Sequence, residues 1–365
     1  MSAPTDPGAR QRGKVTITED MSAFGGRIGG VAFMVLLPAL TVYLYLVVHV
    51  HGGALFVPGP ETLRAIALPS ARARGGRRVT WRLNGRRALV GTLALLLSLF
   101  ATGTLTGKQV LDELGPLLVV ANLLAYALAL WLHRLGLRSE RDETRTGSRL
   151  YDYFMGSALN PRVLRRPGGG GFDLKLFFES KIGMTTWIVI TLAMAKAELE
   201  LRGELSLAMA LVCAFQLFYV LDFYWFEEAM LSTWDINHEN FGYMLAFGFV
   251  VWMPFTFSLQ AQYLVYHTPA LPVWAAIAIG LLNFAGYAIF RGSNLQKHRF
   301  RTNQQALIWG KEPEYLETKR GTRLLVSGFW GLARHTNYLG DLMMAAAWCL
   351  PAGFGHVAPY FYFIY

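Results

Sequence analysis

Acidic residues and one imidazole crowd the end of an apolar stretch, between residues 222 and 243. This segment contains the four residues that we predict to take part in catalysis: Glu227, Asp235, His238 and Tyr243. If the segment is helical, Asp235 shares a face with Glu228 and with His238. A carboxyl group that burial keeps protonated could donate a proton near neutral pH. A solvated loop whose charges only end a helix is the alternative reading.

A second group of residues is basic and would attract an anion. It covers residues 291–301 and continues with Lys319, Arg320 and Arg323. Lys319 and Arg323 are four residues apart, so a helix entering the membrane there would direct two cations at one point, as a nucleotide phosphate requires. Charge alone leaves open that these residues only contact lipid headgroups.

A third polar group, residues 334–341, is flanked by apolar residues on both sides. On a helix, Arg334, Tyr338 and Asp341 would share one face, with Asn337 one turn before Asp341. Such a face suits contacts to phosphate, ribose and carboxamide groups. A buried network with a purely structural role is the alternative.

The whole chain is far more apolar than a soluble domain of its length. Of its 365 residues, 53% are hydrophobic and 16% are charged, so the excess apolar surface must face lipid. We therefore predict an all-α integral membrane protein, and we read at least eight crossings directly. They are residues 28–50, 88–105, 114–137, 182–195, 205–226, 241–265, 271–290 and a weaker region at 324–354. The aromatic residues 356–365 suggest a further span.

The net charge of +10 agrees with this membrane topology and does not require a nucleic acid partner. Basic residues cluster in the connections at 64–87 and 138–181, which the positive-inside rule places on the cytoplasmic side. We divide the chain into a polar, disordered tail (1–26), a group of amino-terminal spans (27–200) and a catalytic, cofactor-binding half (201–365).

Several common motifs are missing from the sequence. No G-x-G-x-x-G follows a strand and opens a helix, so a soluble dinucleotide-binding domain is not expected. The sequence has no H-E-x-x-H and no C-x-x-C, and its two cysteines stand inside apolar stretches. We therefore predict no metal site.

Several longer stretches resemble a known family. They are LYDYFMG at 150–156, LNPR at 159–162, FDLKLFFE at 172–179, residues 241–264 and residues 324–365. These stretches resemble the sterol reductases, a family that includes the C14, C7 and C24(28) reductases and the lamin B receptor. The resemblance covers most of the chain after about residue 150. LNPR, FDLKLFFE and residues 244–264 look more like the C14 reductases and the lamin B receptor than like the C7 branch, which favours C14 reduction.

The resemblance implies about ten membrane helices, NADPH bound in the carboxyl-terminal half, and a sterol that comes from the bilayer. The implied reaction is protonation of a ring double bond, most simply C14=C15, followed by hydride transfer. Carried over by position, the residues that would contact NADPH are Lys319, Arg323, Arg334, His335, Asn337, Tyr338 and Asp341. Relatives lie in the endoplasmic reticulum or nuclear envelope, whereas the composition would also suit a bacterial inner membrane.

Three departures from the family pattern accompany the resemblance. Phe226 stands where many members have Asn, residues 164–171 form a basic, Gly-rich insertion, and the charged tail of the family does not follow Tyr365. The last departure leads us to expect an incomplete cofactor pocket. The rival functions are C7 or C24(28) reduction, an S-adenosylmethionine-dependent membrane methyltransferase of the isoprenylcysteine type, and a noncatalytic membrane anchor.

Overall fold

Helices dominate the computed structural model, which describes residues 70–72, 78–80, 83–138, 149–163, 171–318, 321 and 323–364. The predicted tail, the span at 28–50 and Lys319 lie outside the described residues. In chain order the helices are α1 (Gly85–Ala101), α2 (Gly107–Asp112), α3 (Leu114–Leu137), α4 (Arg149–Met155), α5 (Leu174–Arg202), α6 (Leu207–Trp225), α7 (Trp234–Asn237), α8 (Tyr243–Tyr266), α9 (Val273–Thr302), α10 (Phe329–Leu332), α11 (Thr336–Cys349) and α12 (Phe361–Ile364).

Three short antiparallel strand pairs interrupt the helices, so the described chain is not purely α-helical. They are β1 (Ser70–Arg72) with β2 (Arg78–Thr80), β3 (Arg162–Val163) with β4 (Phe172–Asp173), and β5 (Tyr315–Glu317) with β6 (Arg323–Leu325). Arg323 lies in β6. The expectation of a helix through Arg323 is therefore wrong, because the chain there is an extended strand of a hairpin.

Five of the described helices are long and apolar enough to cross a membrane: α3, α5, α6, α8 and α9. Helix α9 has 30 residues, which at ~1.5 Å each gives about 45 Å, longer than the hydrocarbon core. Its basic carboxyl-terminal part therefore projects beyond the lipid. The region at 324–354 is not one span, because it divides into β6, α10 and α11.

Two of the spans contain wide turns that pack against each other. Residues Phe177–Met184 of α5 and Gly248–Trp252 of α8 wind as π-helices. A π turn accommodates one residue more than an α turn and often occurs near functional sites. Both turns lie within continuous helices, so the backbone hydrogen bonds remain inside the helix, as a lipid environment requires.

A buried glutamine links three spans through hydrogen bonds. The Gln216 amide oxygen accepts from Trp187 Nε1 at 3.0 Å and from Thr191 Oγ1 at 2.7 Å. Its amide nitrogen donates to the Phe257 carbonyl at 2.9 Å and to Gln260 Oε1 at 3.1 Å. Both atoms of the amide are thus paired, and the network ties α5 to α6 and α8.

A buried ion pair fixes the start of α1. Glu227 Oε1 lies 2.5 Å from Lys181 Nζ, and its Oε2 accepts from the Gly85 backbone N–H at 2.7 Å. The carboxylate at a helix amino terminus also satisfies an N–H group that has no partner within the helix. This contact joins α1, α5 and the short 3₁₀ helix Glu227–Ser232.

The LNPR and FDLKLFFE stretches pair with each other, and the second of them binds the backbone of residues 235–239. Arg162 Nε lies 3.4 Å from Asp173 Oδ2 across the β3–β4 pair. Lys175 Nζ donates to the backbone carbonyls of Asp235 at 2.5 Å and of Glu239 at 2.7 Å. These charges therefore hold backbone segments together.

Helices α9 and α11 approach each other closely through two glycines. A Cβ placed on Gly340 would lie 2.5 Å from the Gly286 carbonyl oxygen and 2.5 Å from the Phe290 nitrogen. A Cβ on Gly286 would lie 2.7 Å from the Gly340 carbonyl oxygen. Small residues at such crossings let membrane helices pack backbone to backbone.

We predict that Gly286→Ala destabilises the protein by roughly 1–3 kcal/mol, because the added methyl group forces α9 and α11 apart. Gly280→Ala on the same helix is the matched control, since nothing lies within 4 Å of a Cβ there. The control should be neutral or slightly stabilising, because Ala favours helices over Gly. Thermal unfolding in detergent measures both, and equal midpoints would contradict the proposed close contact.

We also predict that Glu227→Gln lowers the stability by about 3 kcal/mol, since the Lys181 charge is left buried without its partner. Glu228→Gln is the control, because its side chain is exposed one residue further along the chain. The measurement is again the unfolding midpoint in detergent. A Glu227→Gln variant as stable as Glu228→Gln would show that the ion pair contributes little.

Candidate active site

A tyrosine and an aspartate meet inside the helix bundle. The Tyr219 hydroxyl on α6 and the Asp341 carboxyl on α11 lie close enough to interact electrostatically. Aromatic rings enclose Tyr219: its ring centroid lies 5.2 Å from that of Trp348, 5.9 Å from Trp187 and 6.2 Å from Phe290. A hydroxyl with a carboxyl partner in such apolar surroundings can hold and move a proton.

A cation stands beside this pair. Arg291 of α9 forms an ion pair with Asp222 of α6, and the Tyr287 hydroxyl donates to Asp222 Oδ1 at 2.8 Å. The Arg291 guanidinium lies over the Phe226 ring at 3.9 Å, and it interacts electrostatically with Tyr219. The positive charge is therefore both anchored and close to the hydroxyl that could move a proton.

Three buried polar atoms around this site have no hydrogen-bond partner. They are Asn337 Oδ1, Asp341 Oδ1 and Arg291 Nε. Buried polar groups in proteins are almost always paired, so unpaired ones need an explanation. Two acceptors one turn apart on α11 and one donor on α9 are suited to a ligand with complementary polar atoms.

The four residues predicted to be catalytic are not brought together. Glu227 holds α1 through its ion pair, and His238 is exposed and stacked on Trp234 at 4.1 Å. Tyr243 stacks on Tyr126 at 4.6 Å, on the α3 side of the bundle. Asp235 lies near Lys175, and partial burial raises the pKa of its carboxyl above the usual value.

This segment is not one continuous helix. The short 3₁₀ helix Glu227–Ser232 is followed by Thr233, whose extended backbone separates it from α7. Asp235 and Glu228 therefore do not share a helical face. The Thr233 side chain instead caps α7, accepting from the Ile236 N–H.

The predicted cofactor residues fall into two groups. Asn337 and Asp341 lie one turn apart on α11, and each has one buried oxygen without a hydrogen-bond partner. Arg334 and His335 are exposed just before α11, and His335 stacks on the exposed Tyr338 at 5.1 Å. Since α11 begins at Thr336, Arg334 does not share its helical face with Asp341, and that expectation is corrected.

Arg323 is exposed in the β5–β6 hairpin. Its guanidinium contacts Glu317 Oε1 at 3.1 Å and donates to Gln304 Oε1 at 2.7 Å. It also lies 4.5 Å above the Tyr315 ring. The residue is thus held at the surface, outside the buried site.

Sequence reasoning missed Tyr219 and gave Arg291 only as part of a basic stretch. A signal was present, because Gln216, Tyr219 and Asp222 are polar residues spaced by three within an apolar span. Polar groups in such spans are functional candidates by default. Among the described residues, no group of His, Cys, Asp and Glu side chains could hold a metal ion.

Comparison with known proteins finds relatives that are named as sterol reductases. The Delta(14)-sterol reductase of Methylotuvimicrobium alcaliphilum is 49% identical over 311 residues, 85% of this chain and 70% of that protein. The 7-dehydrocholesterol reductase of Xenopus laevis is 44% identical over 268 residues, 70% of this chain and 56% of that protein. The Delta(14)-sterol reductase TM7SF2 of Mus musculus is 40% identical over 375 residues, 94% of this chain and 88% of that protein.

The sequence model of one family matches residues 61–365, which contain every helix and strand named above. The match therefore includes Tyr219, Arg291 and Asp341 together with the spans that hold them. By this match the chain belongs to the ergosterol biosynthesis ERG4/ERG24 family.

Proposed function

We propose that this chain is a membrane enzyme that reduces a sterol ring double bond, most simply C14=C15, with NADPH. The observation that carries the proposal is the Tyr219–Asp341 pair enclosed by aromatic rings. Relatives that are named Delta(14)-sterol reductases, at 40–49% identity, support the choice of bond.

The chemistry begins with a proton, because an isolated alkene is a poor hydride acceptor. Transfer of the Tyr219 hydroxyl proton to C15 forms a C–H bond and leaves a tertiary cation at C14. A proton from the Asp341 carboxyl moves to the phenolic oxygen, so the negative charge ends on the carboxylate. Tyr219 thus acts as general acid, and Asp341 returns its proton.

The aromatic rings around Tyr219 suit a cation on the sterol. The faces of Trp187, Trp348 and Phe290 carry negative charge density, which attracts a positive charge within about 6 Å. These apolar side chains also exclude the water that would otherwise add to C14. Arg291 remains paired with Asp222, so its charge is partly neutralised near the sterol cation.

NADPH fits the unpaired polar atoms of the site. The amide N–H groups of a nicotinamide carboxamide could donate to Asn337 Oδ1 and Asp341 Oδ1, and its oxygen could accept from Arg291 Nε. Arg334 and the basic end of α9, including Lys297 and Arg301, would bind phosphates. When bound, NADPH supplies the hydride that completes the reduction at C14.

The larger organisation follows from the same proposal. The chain has about ten membrane helices, of which the five long spans above are the described part, and its 201–365 half holds the catalytic and NADPH-binding site. The sterol comes from the bilayer, since both substrate and protein are in the lipid. The host membrane is a bacterial inner membrane or the endoplasmic reticulum.

A C7 or C24(28) double bond is the second candidate within the same chemistry. The 44% identity to a 7-dehydrocholesterol reductase favours C7 as the alternative position. Membership of the family argues against the methyltransferase reading and against a solely anchoring role.

The deciding experiment measures NADPH consumption and product formation by the detergent-purified protein. The matched substrates carry a Δ14, Δ7 or Δ24(28) bond, and S-adenosylmethionine binding is measured in parallel. We expect reduction of the Δ14 substrate alone. Reduction of the Δ7 sterol instead would show that the enzyme reduces the C7 double bond. Binding of S-adenosylmethionine without binding of NADPH would contradict the proposal.

We predict that Tyr219→Phe lowers kcat by about 10²–10⁴-fold, the usual contribution of a general acid. The NADPH dissociation constant should stay the same, which also reports that the variant is folded. Tyr266→Phe is the control, because that tyrosine is exposed at the end of α8. If Tyr219→Phe turned over at the parental rate, another group would have to supply the proton.

A further inference from the structure

Trp309 adopts a backbone conformation that its side chain disfavours. Its φ is +51° and that of Gly310 is +77°, and Trp309 is the one non-glycine residue with positive φ in the described chain. Ile308 and Lys311 exchange two backbone hydrogen bonds, of 2.9 and 3.1 Å, across these residues. The φ values and bonds match a type I′ turn, whose first central position takes Asn, Asp or Gly.

The neighbours of Trp309 explain how the strained turn is held. Ile308 is buried with Phe300 and Leu325 in a small apolar cluster, which fixes the turn to the end of α9 and to β6. Strain of this kind persists only when the surroundings impose it, and it occurs preferentially at binding sites. The turn thus presents a bulky ring where a glycine would fit better.

The indole of Trp309 is exposed and not buried. It is 62% exposed, and one edge contacts the Phe329 ring at 5.1 Å. The Phe329 N–H donates to Gln296 Oε1 at 2.9 Å, so the ring behind Trp309 is anchored to α9. Most of the Trp309 side chain is therefore accessible to a stacking partner.

The charges beside Trp309 favour an anionic partner with a planar ring. Between Lys297 and Lys311 the chain carries four cations, the other two being Arg299 and Arg301, and the carboxylates Glu312 and Glu314 follow directly after Lys311. Lys297 Nζ lies 5.2 Å from the ring of Trp330, the residue after Phe329. An apolar partner would gain nothing from these cations, whereas a nucleotide carries both a planar base and phosphates.

From this geometry we infer that Trp309 is the stacking platform for the adenine ring of the dinucleotide. The inference rests on the proposed function, and it extends the site along the chain. The nicotinamide half lies at Asn337 and Asp341, and α10 leads from there to Phe329 and Trp309. Stacking on an aromatic side chain recognises a base by its flat face and needs no hydrogen bonds to it.

The test uses the full chain in detergent and measures binding of NADPH, 2′,5′-ADP and reduced nicotinamide mononucleotide. Trp309→Ala should weaken NADPH and 2′,5′-ADP by roughly 5- to 150-fold, the range found for one stacked base. Trp309→Phe should recover part of the loss. The mononucleotide has no adenine, so its binding should not change.

Two controls separate stacking from folding. Trp274→Ala removes another exposed tryptophan, at the opposite end of α9, and should leave the binding of all three ligands unaffected. Trp309→Gly should raise the unfolding midpoint while weakening 2′,5′-ADP, because glycine accepts the positive φ. A structural role for the indole would lower the midpoint instead.

The outcomes distinguish the two proposals. If the parental protein binds NADPH, and Trp309→Ala binds NADPH and 2′,5′-ADP as tightly as the parental protein does, Trp309 does not stack on the adenine and the reductase proposal stands. Equal weakening of the mononucleotide would also overturn it, since the effect would then not concern adenine. If the parental protein binds no NADPH, both proposals fall.

Discussion

The close crossing of α9 and α11 is the constraint on which the candidate site depends. Gly340 and Gly286 let the two backbones touch, and the residues that follow the contact are the polar ones. Asp341 comes directly after Gly340, and Arg291 comes directly after Phe290, whose backbone Gly340 meets. A wider crossing would draw the Asp341 carboxyl away from Tyr219 on α6. Because lipid provides no hydrophobic drive between helices, this packing depends on close van der Waals contact and on the hydrogen bond from Trp348 Nε1 to Asn283 Oδ1.

Hydrogen-bond satisfaction separates the structural polar groups from those that can bind a ligand. Gln216 is buried in an apolar span, yet both atoms of its amide are paired, so it serves the packing of α5, α6 and α8. Asn337 Oδ1 and Arg291 Nε are equally buried and unpaired. An unpaired group costs free energy in the folded protein. Such a cost is acceptable where a ligand later removes it.

Hydropathy alone predicted α3 between its observed ends, and α6 and α8 to within two residues, because the length of an apolar run is a local property. The family resemblance is confirmed as well. The end of α9 was missed by twelve residues, since this helix continues after its composition turns polar. The arrangement of the side chains in residues 227–238 could not be predicted for another reason. Thr233 caps a new helix, and tertiary contacts direct the charged side chains of this segment to different places. Tyr219 was missed because its partner Asp341 lies on another helix, and pairing across helices leaves no local pattern. The catalytic roles given to Glu227, Asp235, His238 and Tyr243 stay predictions.

Because α5 contains the π-helix Phe177–Met184, the directions in which its two ends face depend on the number of residues between them. One extra residue in a turn rotates everything on one side by about 100° relative to the other, since an α-helix advances that angle per residue. On the amino-terminal side, Lys175 faces the carbonyls of the 235–239 segment. On the carboxyl-terminal side, Trp187 faces Gln216 and the ring of Tyr219. A deletion of one residue between them would restore a regular helix and put the two ends out of phase, although every side chain with a role would still be present.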